Sequence, residues 1–519
     1  MSSPNPTKLA LGLLLCVALV SLSVPFKGGL YLTNFEGDAL HLADIVLRMS
    51  GGEAPHADFM TPLGALAFWP FVPFQSTLPL GLSYTAGQAL VALALLPFIW
   101  RAATSRLPPA TGWAFALLCV LLVTSLAHGD DRGITAVSMH YNRWAWVMVF
   151  VATVLTTLPP TGAPRPLLDG ALSGLLLGAV AYLKVTYFVA FAPVLLLIAL
   201  LRGDLRFLAA GIAVTAVTGA ALFFPLNGMG YIADLLAVTN APLRNAPGLP
   251  LQDLIIAPTY IAATLTLFAG AMILRRKGRG VEGLSILILF PAFLVVTWQN
   301  HGNDPLWLIL LGTLLAAMWN TDRAITGAGL AALSAWVLAV PSITVHALSA
   351  PRHLTLPPAS YTQMVPGRPE VADVHIPTRP AYLVRARTVL NDPGAPFAML
   401  ADRINEAQPA TVAGEPLADC QLLTGITGTM EVLAQDMPSG TYVADMLSSH
   451  WLYTDQPPPP GAAPWNYGTD HGLTEASTLL VPLCPINARA RSELLKLFEA
   501  RTLTEISRND RALTFRIEP

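Results

Sequence analysis

The chain has 519 residues, of which 54% are hydrophobic and only 12% charged, against roughly a quarter charged in an ordinary soluble domain. A single water-soluble core does not account for that balance. The formal net charge of -2 leaves no basic excess, which argues against a nucleic-acid partner.

Apolar runs of lipid-spanning length fill the sequence up to about Val345, and proline-rich, charged text follows. Leu9 to Val24 comes after Lys8, and no small-x-small cleavage motif precedes Lys27, so this segment reads as a first membrane helix near 8–26. Further spans fall near 79–100, 111–127, 144–158, 169–184, 186–201, 207–225, 251–274, 284–299, 305–320 and 324–346, about eleven in all. Leu63 to Phe74 is too short to cross, and Pro62, Pro70 and Pro73 favour an interfacial or re-entrant piece.

Orientation follows from Lys and Arg in the short connections, because these residues resist translocation. Lys8, Arg101 with Arg106, Arg165, Arg202 with Arg206, the group from Arg275 to Arg279, and Arg323 all fall on one side. Taking that side as cytoplasmic puts 27–78, 128–143, 226–250, 300–304 and everything after about 347 outside. The expected architecture is a polytopic all-α membrane domain (1–350) followed by a soluble α/β or α+β extracytoplasmic domain (351–519). In that tail, helices are expected at Ala398 to Ala407 and Asn487 to Ala500, and strands at Tyr442 to Met446, Thr478 to Leu483 and Ala512 to Ile517. Cys16 and Cys119 lie in apolar spans as fillers, whereas Cys420 and Cys484 are expected to pair in the exported tail.

The first outer loop carries the richest pattern. Asn34-Phe35-Glu36-Gly37-Asp38 leads into a helical stretch ending at Gly51-Gly52, with Asp38 as the expected N-cap. His41, Asp44 and Arg48 share one stripe of that helix, beside an apolar face of Leu42, Ile45, Val46 and Met49, as expected of a helix at the membrane interface. Asp44 and Arg48 also fit a plain solvated i, i+4 pair. The loop continues into His56-Ala57-Asp58-Phe59-Met60-Thr61-Pro62-Leu63.

A first apolar span, Glu-Gly-Asp at its outer end, a loop helix, a Gly-Gly turn, His-x-Asp-Phe-x-x-Pro-Leu and then many spans together resemble the GT-C glycosyltransferases. The architecture covers most of the chain and the recognisable residues about its first third. The resemblance implies an inverting transfer of sugar from a polyprenyl-phosphate carrier to a glycan, lipid or protein acceptor, in an enzyme of the cell envelope, most commonly in the bacterial inner membrane. It implies that Asp38 serves as base or positions acceptor or metal, and that Asp130 and Asp131 are a second acidic site, a candidate holder of Mg or Mn.

Such a transfer needs a base for the acceptor hydroxyl and cations for the departing phosphate. Lys184, in the outer turn between two apolar segments, is the first cation candidate, and snorkelling to lipid headgroups is its plain alternative. Arg143, in His140-Tyr141-Asn142-Arg143-Trp144, is the second, with interfacial anchoring as the alternative. Glu36, His41, His56, Asp58, His140, His301 and Asp304 complete the candidate substrate-binding set. The loop Gln456 to Pro464 reads as a surface loop or as a cover over the membrane site. With no phosphate-cradling glycine loop and no Rossmann fingerprint, direct use of a nucleotide sugar is disfavoured. The competing readings are a membrane transporter or lipid flippase whose exported domain binds a partner, and a structural scaffold.

Overall fold

Among the described residues of the computed structural model, eight helices are long and apolar enough to cross a membrane: Pro6–Lys27, Leu80–Arg106, Pro166–Leu183, Val185–Arg202, Leu205–Phe223, Pro258–Arg276, Gly280–Gln299 and Thr326–Ala347. The structure describes residues 3–129, 131–244, 251–299, 305–322, 324, 326–378, 383–386, 410–417, 420–435 and 437–518. His140–Thr157 and the shorter Pro109–Thr124 and Trp307–Thr321 are helical where three further spans are expected. The expected span over 251–274 is broken, with Leu251–Ile256 separate from Pro258–Arg276. Pro258 takes the first position of the second piece, where its missing N–H leaves no intrahelical bond unmade. Leu63 to Phe74 is a single 3-10 turn, Ala65–Ala67, before the short helix Val72–Gln75.

The C-terminal part is tied back to the first loop by the backbone itself. Leu30–Tyr31 pairs in parallel with Val374–Pro377, which pairs antiparallel with Tyr361–Gln363. Helix Leu80–Arg106 has no side-chain cap from its own flank. Asp373 supplies one, its two carboxylate oxygens accepting from the amides of Gly81 and Leu82 at 2.8 Å each, where a negative charge also meets the positive helix end.

Beyond this connector the chain forms a four-stranded sheet in the order Leu503–Arg508, Ala512–Ile517, Thr478–Pro482, Thr441–Val443. The first three strands are antiparallel neighbours and the last is parallel to its partner. Helix Ala488–Lys496 closes one face with Leu494 and Leu495 against Leu479, Leu513 and Phe515. The strands thus match the expected positions within a few residues, while Ala398 to Ala407 lies outside the described residues.

Cys420 and Cys484 form a disulfide across a sequence separation of 64. Cross-linking a loop of that length restricts the unfolded chain by about 4 kcal/mol in the chain-entropy account. Replacing both cysteines by serine is therefore expected to lower the denaturation midpoint of the C-terminal domain. An unchanged midpoint would show that the covalent tie contributes little.

Candidate functional site

The loop helix is Glu36–Ser50, capped at Phe35, and it begins three residues earlier than an N-cap at Asp38 implies. Phe35 precedes it in the left-handed region at φ 62°, its amide held by the Asn34 side chain at 2.9 Å. Asp38 is consequently not the N-cap but lies in the first turn. There its carboxylate favours the positive helix end without being consumed by capping.

The helix does not lie on a bare membrane surface. Ala39, Leu40, Leu42, Ala43, Ile45 and Val46 are all buried, because the C-terminal domain covers the side that the bundle leaves open. Asp44 and Arg48 are correspondingly a buried pair rather than a solvated one, with Arg48 Nε 2.6 Å from Asp44 Oδ1 and both side chains fully enclosed. Arg48 also meets Glu53 at 2.9 Å and donates to the carbonyl of Pro459 at 3.2 Å, with the Trp451 ring 5.7 Å away. The proline-rich loop is thereby a cover fastened to the first loop. Two backbone bonds reinforce it: Gly461 N to Asp58 O at 3.0 Å and Met60 N to Ala462 O at 3.4 Å.

Elsewhere between the first loops and the C-terminal domain a carboxylate, two cations and two phenols converge. Asp38 and Arg244 both act electrostatically on Tyr141 and on Tyr467. Lys184 donates from Nζ to Asn142 Oδ1 at 2.7 Å and stands over the Tyr141 ring at 5.0 Å. Arg244 stands over the Tyr467 ring at 5.5 Å and is close enough to act on Lys184. Asp38 keeps part of its surface open, yet desolvation pushes its carboxyl above the ordinary carboxylate range, partly offset by the Ser138 hydroxyl. Burial likewise raises the Tyr467 hydroxyl, and Arg244 draws it back.

The elements explain the convergence. Lys184 occupies the extended break between Pro166–Leu183 and Val185–Arg202, pinned by Gly64 N donating to the Leu183 carbonyl at 3.2 Å. A Cβ at Gly64 would lie 1.9 Å from the carbonyl oxygen of Tyr182, so only glycine permits this approach. Tyr141 and Asn142 lie in the first turn of His140–Thr157. Arg244 ends a 3-10 turn, Pro242–Arg244, that packs on the C-terminal domain, with Arg489 donating to Pro242 O at 3.1 Å.

The other expected residues have different surroundings. Arg143 is buried and gives hydrogen bonds to the carbonyls of Ala127, Ser138 and Ser125 at 2.7, 2.8 and 2.9 Å, shaping the second loop. His140 reaches the Ala67 carbonyl through Nε2 at 2.7 Å. His41 packs edge-on to Phe68 and Trp465, and burial lowers it to about 4, so it is neutral at pH 7. His56 Nδ1 is 2.8 Å from Asp234, and Asp58 accepts the amide of Ala54 at 2.7 Å. Glu36 is buried against Thr427, at the start of helix Ile426–Gln435, at 3.3 and 3.5 Å. Asp131 is exposed on its loop. Asp130, His301 and Asp304 lie outside the described residues.

Arg244 and Tyr467 were not among the expected residues. Arg244 could have been found, since a basic residue in a loop assigned to the outside departs from the charge bias that set the orientation. Nothing in the sequence ties Asn466-Tyr467-Gly468 to this place. In comparisons with protein-family models, curated proteins and solved structures, none matches the chain.

Proposed function

We propose that the chain is a membrane glycosyltransferase of GT-C type, transferring a sugar from a polyprenyl-phosphate carrier to an acceptor at the face covered by the C-terminal domain. The observation that carries this reading is the gathering of Asp38, Lys184 and Arg244 around Tyr141 and Tyr467. In this reading all eleven apolar segments cross the membrane, the amino terminus is cytoplasmic and the C-terminal domain extracytoplasmic. A carrier dissolved in the bilayer brings its phosphate to the helix ends, where such a site can reach it.

The Asp38 carboxylate accepts the acceptor's hydroxyl proton. The acceptor oxygen forms a bond to the anomeric carbon as the bond from that carbon to the phosphate oxygen breaks, and the polyprenyl phosphate leaves with the electron pair. Lys184 and Arg244 hold the charge that develops on it, and one displacement inverts the anomeric centre. The raised pKa of Asp38 suits a base in a poorly hydrated site. Among the described residues no group of three His, Cys, Asp or Glu side chains is arranged to hold a metal; Asp130 and Asp131 are the residues that would hold Mg or Mn, and the steps above use this chain's own side chains.

Purified protein supplied with radiolabelled polyprenyl-phosphate sugars and candidate acceptors tests the reading. Consumption of a donor supports it, and no consumption of any donor shifts the assignment to transport. Lys184→Met is expected to lower kcat/KM by roughly 10- to 100-fold with little change in melting temperature. Unchanged turnover would reduce Lys184 to a headgroup anchor.

A further inference from the structure

The opposite end of the bundle carries a second concentration of charge that the proposed reaction does not use. Helix Leu80–Arg106 spans 27 residues, roughly 40 Å at about 1.5 Å per residue. Its first turn meets Asp373 and its last residue, Arg106, ends far from Asp38. There Asp169, fully buried, takes Arg101 at 2.8 Å and Arg106 at 2.6 Å. Arg106 is only 6% exposed, yet its Nε and Nη1 have no hydrogen-bond partner among the described residues.

Arg106 lines a crypt together with Arg165, Arg202 and Asp204. Arg202 donates to the carbonyl of Thr157 and feels Glu282 and Asp204, but Glu282 is itself paired with Arg279 at 3.0 Å. The crypt is therefore lined by Arg106, Arg165 and Arg202 against the one carboxylate Asp204, with Asp169 behind it already shared by Arg101 and Arg106, so positive charge is in excess. Buried donors of a guanidinium left without acceptors are costly, and an anion's oxygens would remove that cost.

The crypt does not end blindly. It shares Thr156, Ala199 and Phe207 with an apolar groove of about 570 Å³ between Pro166–Leu183, Val185–Arg202 and Leu205–Phe223. Leu177, Phe188, Pro193, Leu196, Leu208 and Ile212 form its walls. On Leu205–Phe223 only Phe207 is buried, so the groove's outer wall faces the hydrocarbon.

We propose that this end of the bundle binds an anionic glycerophospholipid, its phosphate diester in the crypt at Arg106, Arg165 and Arg202 and one acyl chain along the groove. A basic crypt alone would suit any phosphate, and a groove alone any hydrocarbon. Their continuity selects a molecule that carries both. The distance from Asp38 argues against the sugar carrier as the occupant and makes this a structural or regulatory lipid.

The test uses the full chain in detergent with equal amounts of phosphatidylglycerol and phosphatidylcholine, reading retained lipid by native mass spectrometry. Phosphatidylglycerol is expected to be retained about tenfold over phosphatidylcholine, a difference of about 1.4 kcal/mol. Arg165→Glu, which leaves the Asp169 pairs intact, is expected to abolish that preference. Ala216→Trp, which fills the groove, is expected to reduce retention of both lipids. Equal retention of the two lipids, or wild-type retention in both variants, overturns the proposal. So does displacement of the lipid by inorganic phosphate alone, which would mark a free-anion site, or stronger retention of a polyprenyl phosphate, which would mark a carrier site.

Discussion

Asp38→Asn is expected to reduce sugar transfer by about 10²- to 10⁴-fold, the range that a positioned base contributes. The same substitution is expected to leave the melting temperature unchanged or raised. Desolvation holds the folded-state carboxyl pKa above its unfolded value, so near neutral pH the ionised group opposes folding, and that cost grows as pH rises through the folded pKa. Loss of activity without loss of stability separates a base from a structural carboxylate. The pH profile supplies a second check. The base form fills only above the raised pKa, so the acid limb of kcat/KM should lie above the ordinary carboxylate value of about 4. Near-wild-type transfer by Asp38→Asn would remove this residue from the mechanism.

Arg48→Met is expected to destabilise the docked arrangement by about 3–5 kcal/mol, because it strands the enclosed Asp44 carboxylate without its partner. The double variant with Asp44→Asn should recover much of that loss, since neither buried charge then remains. Hydrogen exchange along residues 456–464 provides the readout. In Arg48→Met the amides of Gly461 and Ala462 are expected to lose protection while the four-stranded sheet keeps its own. If the loop stays protected, the backbone bonds to Asp58 and Met60 suffice and the ion pair is incidental to docking.

Much of the architecture could be read from the sequence because hydrocarbon imposes simple rules. Runs of Leu, Val and Ala mark the helices, and prolines at 166 and 258 mark two of their starts. Lys184 stood out as a charge between two apolar segments, Asp38 through the loop motif and the resemblance it carries, and the 420–484 disulfide as the two cysteines of the hydrophilic tail. What escaped was decided by distant chain. The i, i+4 spacing of Asp44 and Arg48 is identical whether the pair is wet or covered, and the cover arrives with Pro459. The helix start at Glu36 depends on a left-handed Phe35 that no propensity favours. Tyr467 is brought to the site by distant chain, its carbonyl accepting from the Leu243 amide at 3.3 Å and the Asn466 amide before it donating to the Met446 carbonyl at 2.7 Å.

The pairing of Leu30–Tyr31 with Val374–Pro377 has a consequence for biogenesis. Its two strands are separated by nearly the whole bundle, so during synthesis the early strand must wait with open hydrogen-bonding edges until the late one has been made. The cap at Gly81 and Leu82 waits for the same stretch, through Asp373. The end of the bundle that holds the Leu30–Tyr31 strand and the Gly81 cap thus assembles only after residues 373–377 have been made, and prematurely terminated products that stop short of residue 373 would keep their apolar helices yet lack both ties.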